Sequence, residues 1–516
     1  MRRFAALVRF SSASILDNRR PCTSSEAALA PELQFAGTKI RVRNEFKMVT
    51  HLERPSLTRQ LGGMSATALV VSSMIGTGIF STTGFLAGDL GTPSLVLWSW
   101  VAGAVFALLG SLCYAELGMN LPESGGEYVY LSRAYGPIWG FMSGWVSFFA
   151  GFSAPVAVAA LAFASYLGQV CAACADDKAR ILLRAGEWSF QFGKTQMIAC
   201  CLVVLLTIVN VLGVRGSKGL QNVFTIAKIA ILAAFIVLAF TVGHGSWQHF
   251  AQSTARTSSS PLPAQFAISL FYIYLSYSGW NAATYVAGEI RDPGRTLPRA
   301  LMLGTGLVAA LYLILNVLYI YAAPLTSLRG QVAVGALAAS NLFGPGVATA
   351  FSALMALSLV ASVNAQVMTG PRVYFAMAQN GAFFPSAAKI HPRWRTPWMA
   401  IVAQGICTLV MTTTSLPDLL QYIGFTLSFF TALGVASLFH FRRQAGWKKL
   451  RAVNVAWPLV PILFLLPEVW IIIFGLQLKP FISLAGAATI AAGALAYRFG
   501  ARRISAPGDL AVTPPE

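Results

Sequence analysis

Charge-free apolar runs recur along this chain, each near the ~20 residues needed to cross a bilayer, and short polar or basic segments separate them. Twelve can be counted, at about 64–88, 93–118, 138–170, 195–213, 219–242, 263–288, 298–322, 345–378, 398–415, 417–440, 456–476 and 480–499. They are continuous rather than ~10-residue alternating segments, which excludes a β-barrel. The pattern predicts an all-α integral membrane protein of twelve transmembrane helices. Composition agrees, with 56% hydrophobic and 11% charged residues, against the roughly 25% charged residues of a soluble domain.

Two runs carry polar small residues at their centres. The first contains SSMIGTGIFSTTG, Ser72 to Gly84. An unpaired backbone group in hydrocarbon costs several kcal/mol unless it lines a cavity or binds something. Gly76 and Gly78 permit a break there, which would leave the N–H groups of Thr77, Gly78 and Ile79 at a half-helix N-terminus that attracts a carboxylate. Close packing of small residues between helices is the other reading of the same glycines. The sixth run, FYIYLSYSGWNAATYVAGEI, again places a pair, Ser278 and Gly279, near its middle. Secondary transporters with inverted repeats put discontinuous helices at corresponding positions of two halves. Runs one and six hold those positions in a five-plus-five repeat, with repeat one at about 64–242, repeat two at about 263–440 and accessory helices at about 456–499.

The net charge of +19 raises the question of nucleic acid. Placement answers it. With the N-terminus inside, the inner loops and C-terminal tail hold 18 Lys/Arg and the outer loops seven, a positive-inside bias that puts both termini in the cytoplasm. Residues 1–60 form a cytoplasmic leader, 61–500 the membrane domain and 501–516 a tail. The Arg/Ser-rich start, residues 1–47, reads as a disordered leader or as sequence upstream of a start at Met48; a mitochondrial transit peptide is the alternative. Among seven cysteines, Cys113, Cys200, Cys201 and Cys407 fall in apolar runs as small apolar residues. Cys171 and Cys174 lie at the outer end of the third run, where a disulfide or a partner link fits better than a metal. No metal or cofactor is expected.

Enzyme readings find no support: the five histidines are scattered, without H-E-x-x-H, a phosphate loop or a nucleophile elbow. Lys228 is the informative charge inside a run, and an intramembrane charge is functional by default; snorkelling to the surface is its bland alternative, while Glu468, in an accessory helix, reads as structural. Glu116 and Glu289 end the second and sixth runs, where pairing with Arg could close an inner gate or solvation could be all they meet.

IGTGIF in the first run, CYAELGMNLPESGGEYVYLSRAYG after the second and YSGWNAATYVAGEIRDPGRTLPRAL in the sixth resemble the amino acid–polyamine–organocation superfamily, nearest to the L-type amino acid transporters and their bacterial permease relatives. The resemblance runs from about 55 to 476 and implies a LeuT-type fold. It implies that an amino acid α-carboxylate meets the backbone of Ile75, Gly76, Thr77, Gly78 and Ile79. The α-ammonium would meet carbonyls of Leu275, Ser276 and Ser278, with Trp280 and Asn281 shaping or lining the pocket. Relatives often carry an aromatic gate where this chain has Leu275, which leaves Tyr274 and Tyr277 as gate candidates. Ser278, where some relatives have Gly, points to a smaller pocket. The resemblance also implies that Lys228 reaches between runs one, five and eight and replaces a sodium ion, with Ser358 as neighbour. The reading is a plasma-membrane, sodium-independent exchanger or facilitator of neutral L-amino acids. Proton symport and cationic amino acids or polyamines stand as alternatives, and an amino acid sensor as a more distant one. A single-span partner subunit linked through Cys171 is the one protein partner considered.

Overall fold

The computed structural model describes Arg59 and residues 61–175, 179–186, 188–213, 217–379 and 381–499. The expected leader, apart from Arg59, and the tail at 501–516 lie outside the described residues. Everything below belongs to the unit Leu57–Glu516.

The first run is two helices, α1 (Gly63–Met74) and α2 (Gly78–Leu90), bent by 41° across a three-residue break. Gly91, at φ +72, ends α2 in the left-handed conformation that stops helices, and Pro93 opens α3 (Pro93–Asn120). A short turn leads to α4 (Glu127–Tyr135). Next, α5 (Pro137–Val146) and α6 (Ala154–Val170) join through a π-helical stretch at Ser147–Ser153. Then come α7 (Lys194–Leu212), α8 (Ser217–Thr241) and α9 (Leu262–Tyr277). The sixth run breaks after α9 and resumes in one turn, α10 (Ala282–Tyr285). The rest comprises α11 (Pro293–Ala322), α12 (Leu325–Leu328), α13 (Val334–Phe343), α14 (Pro345–Gln379), α15 (Trp398–Thr412), α16 (Leu416–Phe441), α17 (Arg451–Val455), α18 (Leu459–Leu478) and α19 (Pro480–Phe499).

Among the described residues, eight helices are long and apolar enough to cross a membrane, and the bent α1–α2 pair makes a ninth. The remaining runs fall on α8, on the 16-residue α9 and on the 15-residue α15. The chain is mostly helical, with one departure from the all-α expectation among the described residues. Strands β1 (Arg180–Ala185) and β2 (Trp188–Phe192) form an antiparallel hairpin in the segment between α6 and α7. It seats on the α15–α16 connection and the first turn of α16: Gln191 N donates to Thr413 O, and Asp418 accepts from Ser189. The alternation is too short, and too mixed with Arg and Glu, to stand out beside the apolar runs.

The core is built where α1 and α3 both pack on α11, α2 lies along α9, and α6 lies along α14. The last two long helices, α18 and α19, pack on α16, and α18 also packs on α9 and α3. The two broken runs therefore sit in the middle of the bundle, against each other.

Candidate functional site

Ile75 leaves helical geometry at φ −72, ψ 85, and Ile75, Gly76 and Thr77 belong to neither half-helix. The end of α1 exposes carbonyls that the break cannot satisfy, and two side chains from distant helices take them. Tyr312 of α11 donates its hydroxyl to Met74 O at 2.6 Å, and Lys228 of α8 donates Nζ to Ile75 O at 3.0 Å. A cation at this position also faces the negative end of the α1 dipole. Lys228 is 7% exposed, so it does not snorkel. Its second partner is the Ser362 hydroxyl, at 2.8 Å. This corrects the expectation of Ser358. Ser362 lies one helical turn further along α14 and donates to Ser358 O, whereas the Ser358 hydroxyl has no hydrogen-bond partner among the described residues. Both serines share one helix face, which sequence spacing alone cannot separate. On the other side of the break, Thr77, Gly78 and Ile79 open α2, and among the described residues their N–H groups have no protein acceptor.

The second break touches the first. Tyr277 ends α9, Ser278 is extended at φ −53, ψ 143, and Gly279 takes φ +100. A Cβ on Gly279 would stand 2.7 Å from Ser73 O, and a Cβ on Gly78 would collide with Ser276 Cα and stand 2.7 Å from its Cβ. Small residues here let two backbones meet, and broken helices result as well, so both readings of these glycines hold at once. The Ser276 hydroxyl bonds Thr82 at 2.9 Å and donates to Tyr272 O, so its side chain ties the two runs together. Of the three carbonyls expected to face an ammonium, that of Leu275 already accepts from Ser278 N at 3.0 Å. Those of Ser276 and Ser278 accept no hydrogen bond among the described residues.

Gly78→Ala is expected to lower stability by about 1–3 kcal/mol through this overpacking. Gly63→Ala, whose added Cβ would meet only Thr296 Cγ2 at 3.9 Å, serves as the control. Melting curves of the two detergent-solubilised variants check it, and coincident curves would refute the close approach.

The gate candidates are held by other helices. The Tyr277 hydroxyl donates to Trp100 O, and its ring packs with Trp100 and Tyr312. The Tyr274 hydroxyl bonds Thr431 of α16 at 2.5 Å. The Trp280 ring is buried between α3 and α18, edge-on to Tyr114 with centroids 4.8 Å apart and next to Phe464, so it shapes the second break from outside. Asn281 donates to Glu127 at 2.8 Å.

Glu127 is the residue that sequence reading missed. It begins α4 straight after Gly125 and Gly126, at φ +132 and +52, which turn the chain back under α3. Its carboxylate also accepts from Tyr114 at 3.0 Å and from Tyr285 at 2.5 Å. One buried acid thus joins the α3–α4 turn, α3 and the far side of the second break. An acid directly after a Gly-Gly turn, in a segment rich in tyrosine, was the available signal. Burial raises the Glu127 carboxyl above the ordinary carboxylate range, with the three donors opposing. Such a group holds its proton more tightly in the folded chain, so its contribution to stability falls as pH rises from the unfolded value, about 4.3, through the folded one. Glu127→Gln is therefore expected to flatten the loss of melting temperature between pH 4 and pH 7. Equal slopes for the two proteins would refute the shift.

Glu116, on the last turns of α3, forms a two-pronged pair with Arg442, which follows α16; both contacts are 2.6 Å. Glu289 uses its backbone instead: its carbonyl accepts from Leu61 N, and among the described residues no cation pairs with its carboxylate. No group of three or more metal-ligating side chains occurs among the described residues.

Residues 61–492 match the family described as amino acid permease. A Bacillus subtilis protein named serine/threonine exchanger SteT is 30% identical over 419 residues, covering 80% of this chain and 90% of its own. The mouse large neutral amino acids transporter small subunit 2 is 30% identical over 453 residues, covering 86% of this chain and 81% of its own. The mouse Asc-type amino acid transporter 1 is 28% identical, covering 87% and 82%. With its bundle of membrane-length helices and a match over nearly the whole described region, this chain is a multi-pass membrane protein and belongs to the amino acid permease family.

Proposed function

We propose that the chain carries neutral L-amino acids across the membrane by alternating access, as a sodium-independent exchanger. One observation carries this reading: two broken helices meet where, among the described residues, N–H groups at the start of α2 lack protein acceptors and carbonyls of Ser276 and Ser278 on the other break lack donors. A zwitterion needs both, donors for its carboxylate and acceptors for its ammonium. In this reading Thr77, Gly78 and Ile79, with Gly76 beside them, take the carboxylate, and Ser276 and Ser278 take the ammonium; Ile75 drops out of the expected set, because its N–H already donates to Val71 O at 3.1 Å. The names of the relatives, an exchanger of serine and threonine and transporters of neutral amino acids, support the substrate class. Lys228 stands where a monovalent cation would bridge α1 and α14, a fixed charge that makes sodium unnecessary.

The same reading treats the chain as twelve spans: residues 61–500 form a LeuT-type five-plus-five repeat and two accessory helices, both termini are cytoplasmic, and the plasma membrane is the site. Transport, rather than catalysis, is its activity. A single-span partner joined through Cys171, at the end of α6, accords with the word "subunit" in one relative's name.

Uptake of a panel of radiolabelled amino acids into proteoliposomes tests the proposal. Uptake of small neutral amino acids only into vesicles preloaded with amino acid is the expected result, unchanged when sodium is replaced by potassium. Uptake driven by an acid-outside gradient into empty vesicles would assign proton symport instead. No uptake of any neutral amino acid would overturn the substrate class in favour of cationic amino acids, polyamines or a sensing role.

A further inference from the structure

A cavity of about 280 Å³ lies away from the two breaks, where the chain leaves α16 and turns toward α18. Phe439, Arg442, Arg443, Lys449, Asn454 and Trp457 line it. Its wall is built in a definite order. Glu116 fixes the Arg442 guanidinium, which lies 4.0 Å over the Trp457 ring. The charge of Arg442 is thereby matched within the protein. Arg443 and Lys449 are exposed, and among the described residues neither has a carboxylate partner. Segment 442–451 holds five cations and no acid. Beside the cavity, Val455 is 81% and Leu459 54% exposed, an apolar shoulder at the point where α18 begins its membrane-length apolar run.

We propose that this cavity binds the phosphate headgroup of an anionic phospholipid. Basic clusters next to a membrane helix attract anionic headgroups, and tryptophan favours the same interfacial depth. Orientation bias accounts for basic residues in a loop, but not for a cavity walled by an arginine fixed on an indole ring. The choice between a lipid and a free anion follows from the shoulder: a soluble anion has no use for Val455 and Leu459, whereas the acyl chains beneath a headgroup cover them. Arg443 and Lys449 would contact the phosphate, and Trp457 the glycerol region. This inference is independent of the transported substrate.

The test uses the purified full chain in neutral detergent, with dioctanoyl-phosphatidylglycerol, dioctanoyl-phosphatidylcholine or inorganic phosphate added, read by native mass spectrometry and by melting temperature. Phosphatidylglycerol is expected to form a retained one-to-one adduct and raise the melting temperature, while phosphatidylcholine does neither. The double variant R443Q/K449Q is expected to weaken retention about 25-fold, at roughly fivefold for each cation removed. The control K389Q/R393Q, on a different exposed basic segment, should leave retention unchanged. Retention undiminished in R443Q/K449Q, or diminished equally in the control, would overturn the site. An equal rise in melting temperature with inorganic phosphate would overturn the lipid in favour of a soluble anion.

Discussion

Glu116→Ala lowers the stability of the folded chain by about 3–5 kcal/mol, the usual cost of leaving one member of a buried ion pair without its partner. The side chains of Glu116 and Arg442 are 0% and 5% exposed. The carboxylate also accepts from Trp447 Nε1 and from Leu450 N, each at 3.0 Å. Its removal strands a guanidinium and two further donors, because the segment after α16 is folded around this one acid. Arg442→Ala costs less at the backbone but leaves the carboxylate buried and opposed only by neutral donors. Glu116→Leu combined with Arg442→Met recovers most of the loss, since a pair of apolar residues carries no uncompensated charge. Melting of each detergent-solubilised variant gives the comparison. The yardstick is Glu123→Ala, which breaks a pair with Arg133 whose side chains are about half exposed and is worth about 0–1 kcal/mol. A Glu116→Ala loss no larger than that of Glu123→Ala would show that the buried pair does not hold the end of α16 to α3.

Lys228→Ala abolishes amino acid uptake while leaving the protein folded. The ammonium group links Ile75 O, at the first break, to Ser362 on α14. Without it the carbonyl that ends α1 loses its donor, at a cost of about 1–3 kcal/mol for a buried group left unsatisfied. The break then relaxes away from the geometry that presents the α2 amides. A displacement of about 1 Å at a binding constellation costs about 100-fold in rate, so proteoliposome uptake is expected to fall by at least that factor. Ser362→Ala, which removes one of two acceptors and leaves the charge on Ile75 O, should retain partial uptake. Ser358→Ala should behave as the wild type, because its hydroxyl makes no hydrogen bond to Lys228 or to any other described group. Unchanged rate and ion dependence in Lys228→Ala would overturn the role of the lysine; equal losses in the two serine variants would overturn the choice of Ser362.

The sequence by itself determined where the helices run and where two of them break. Apolar run length, the stops at Gly91 and Pro93, and glycines set inside charge-free runs are local features. The requirement that backbone groups be paired in hydrocarbon acts on each segment separately. That is why the break between Met74 and Gly78, and the one after Tyr277, could be placed from a dozen residues each. Only the tertiary structure decided which groups complete those breaks. Lys228 meets a carbonyl 153 residues away, Glu127 meets Asn281 at a separation of 154, and Arg442 meets Glu116 at 326. Spacing along one helix left Ser358 and Ser362 equivalent, and nothing local turned Trp280 toward α18 or Ser276 toward Thr82. Such choices depend on the rotation and depth of helices far apart in the chain, which packing sets to within a few ångströms and periodicity does not constrain.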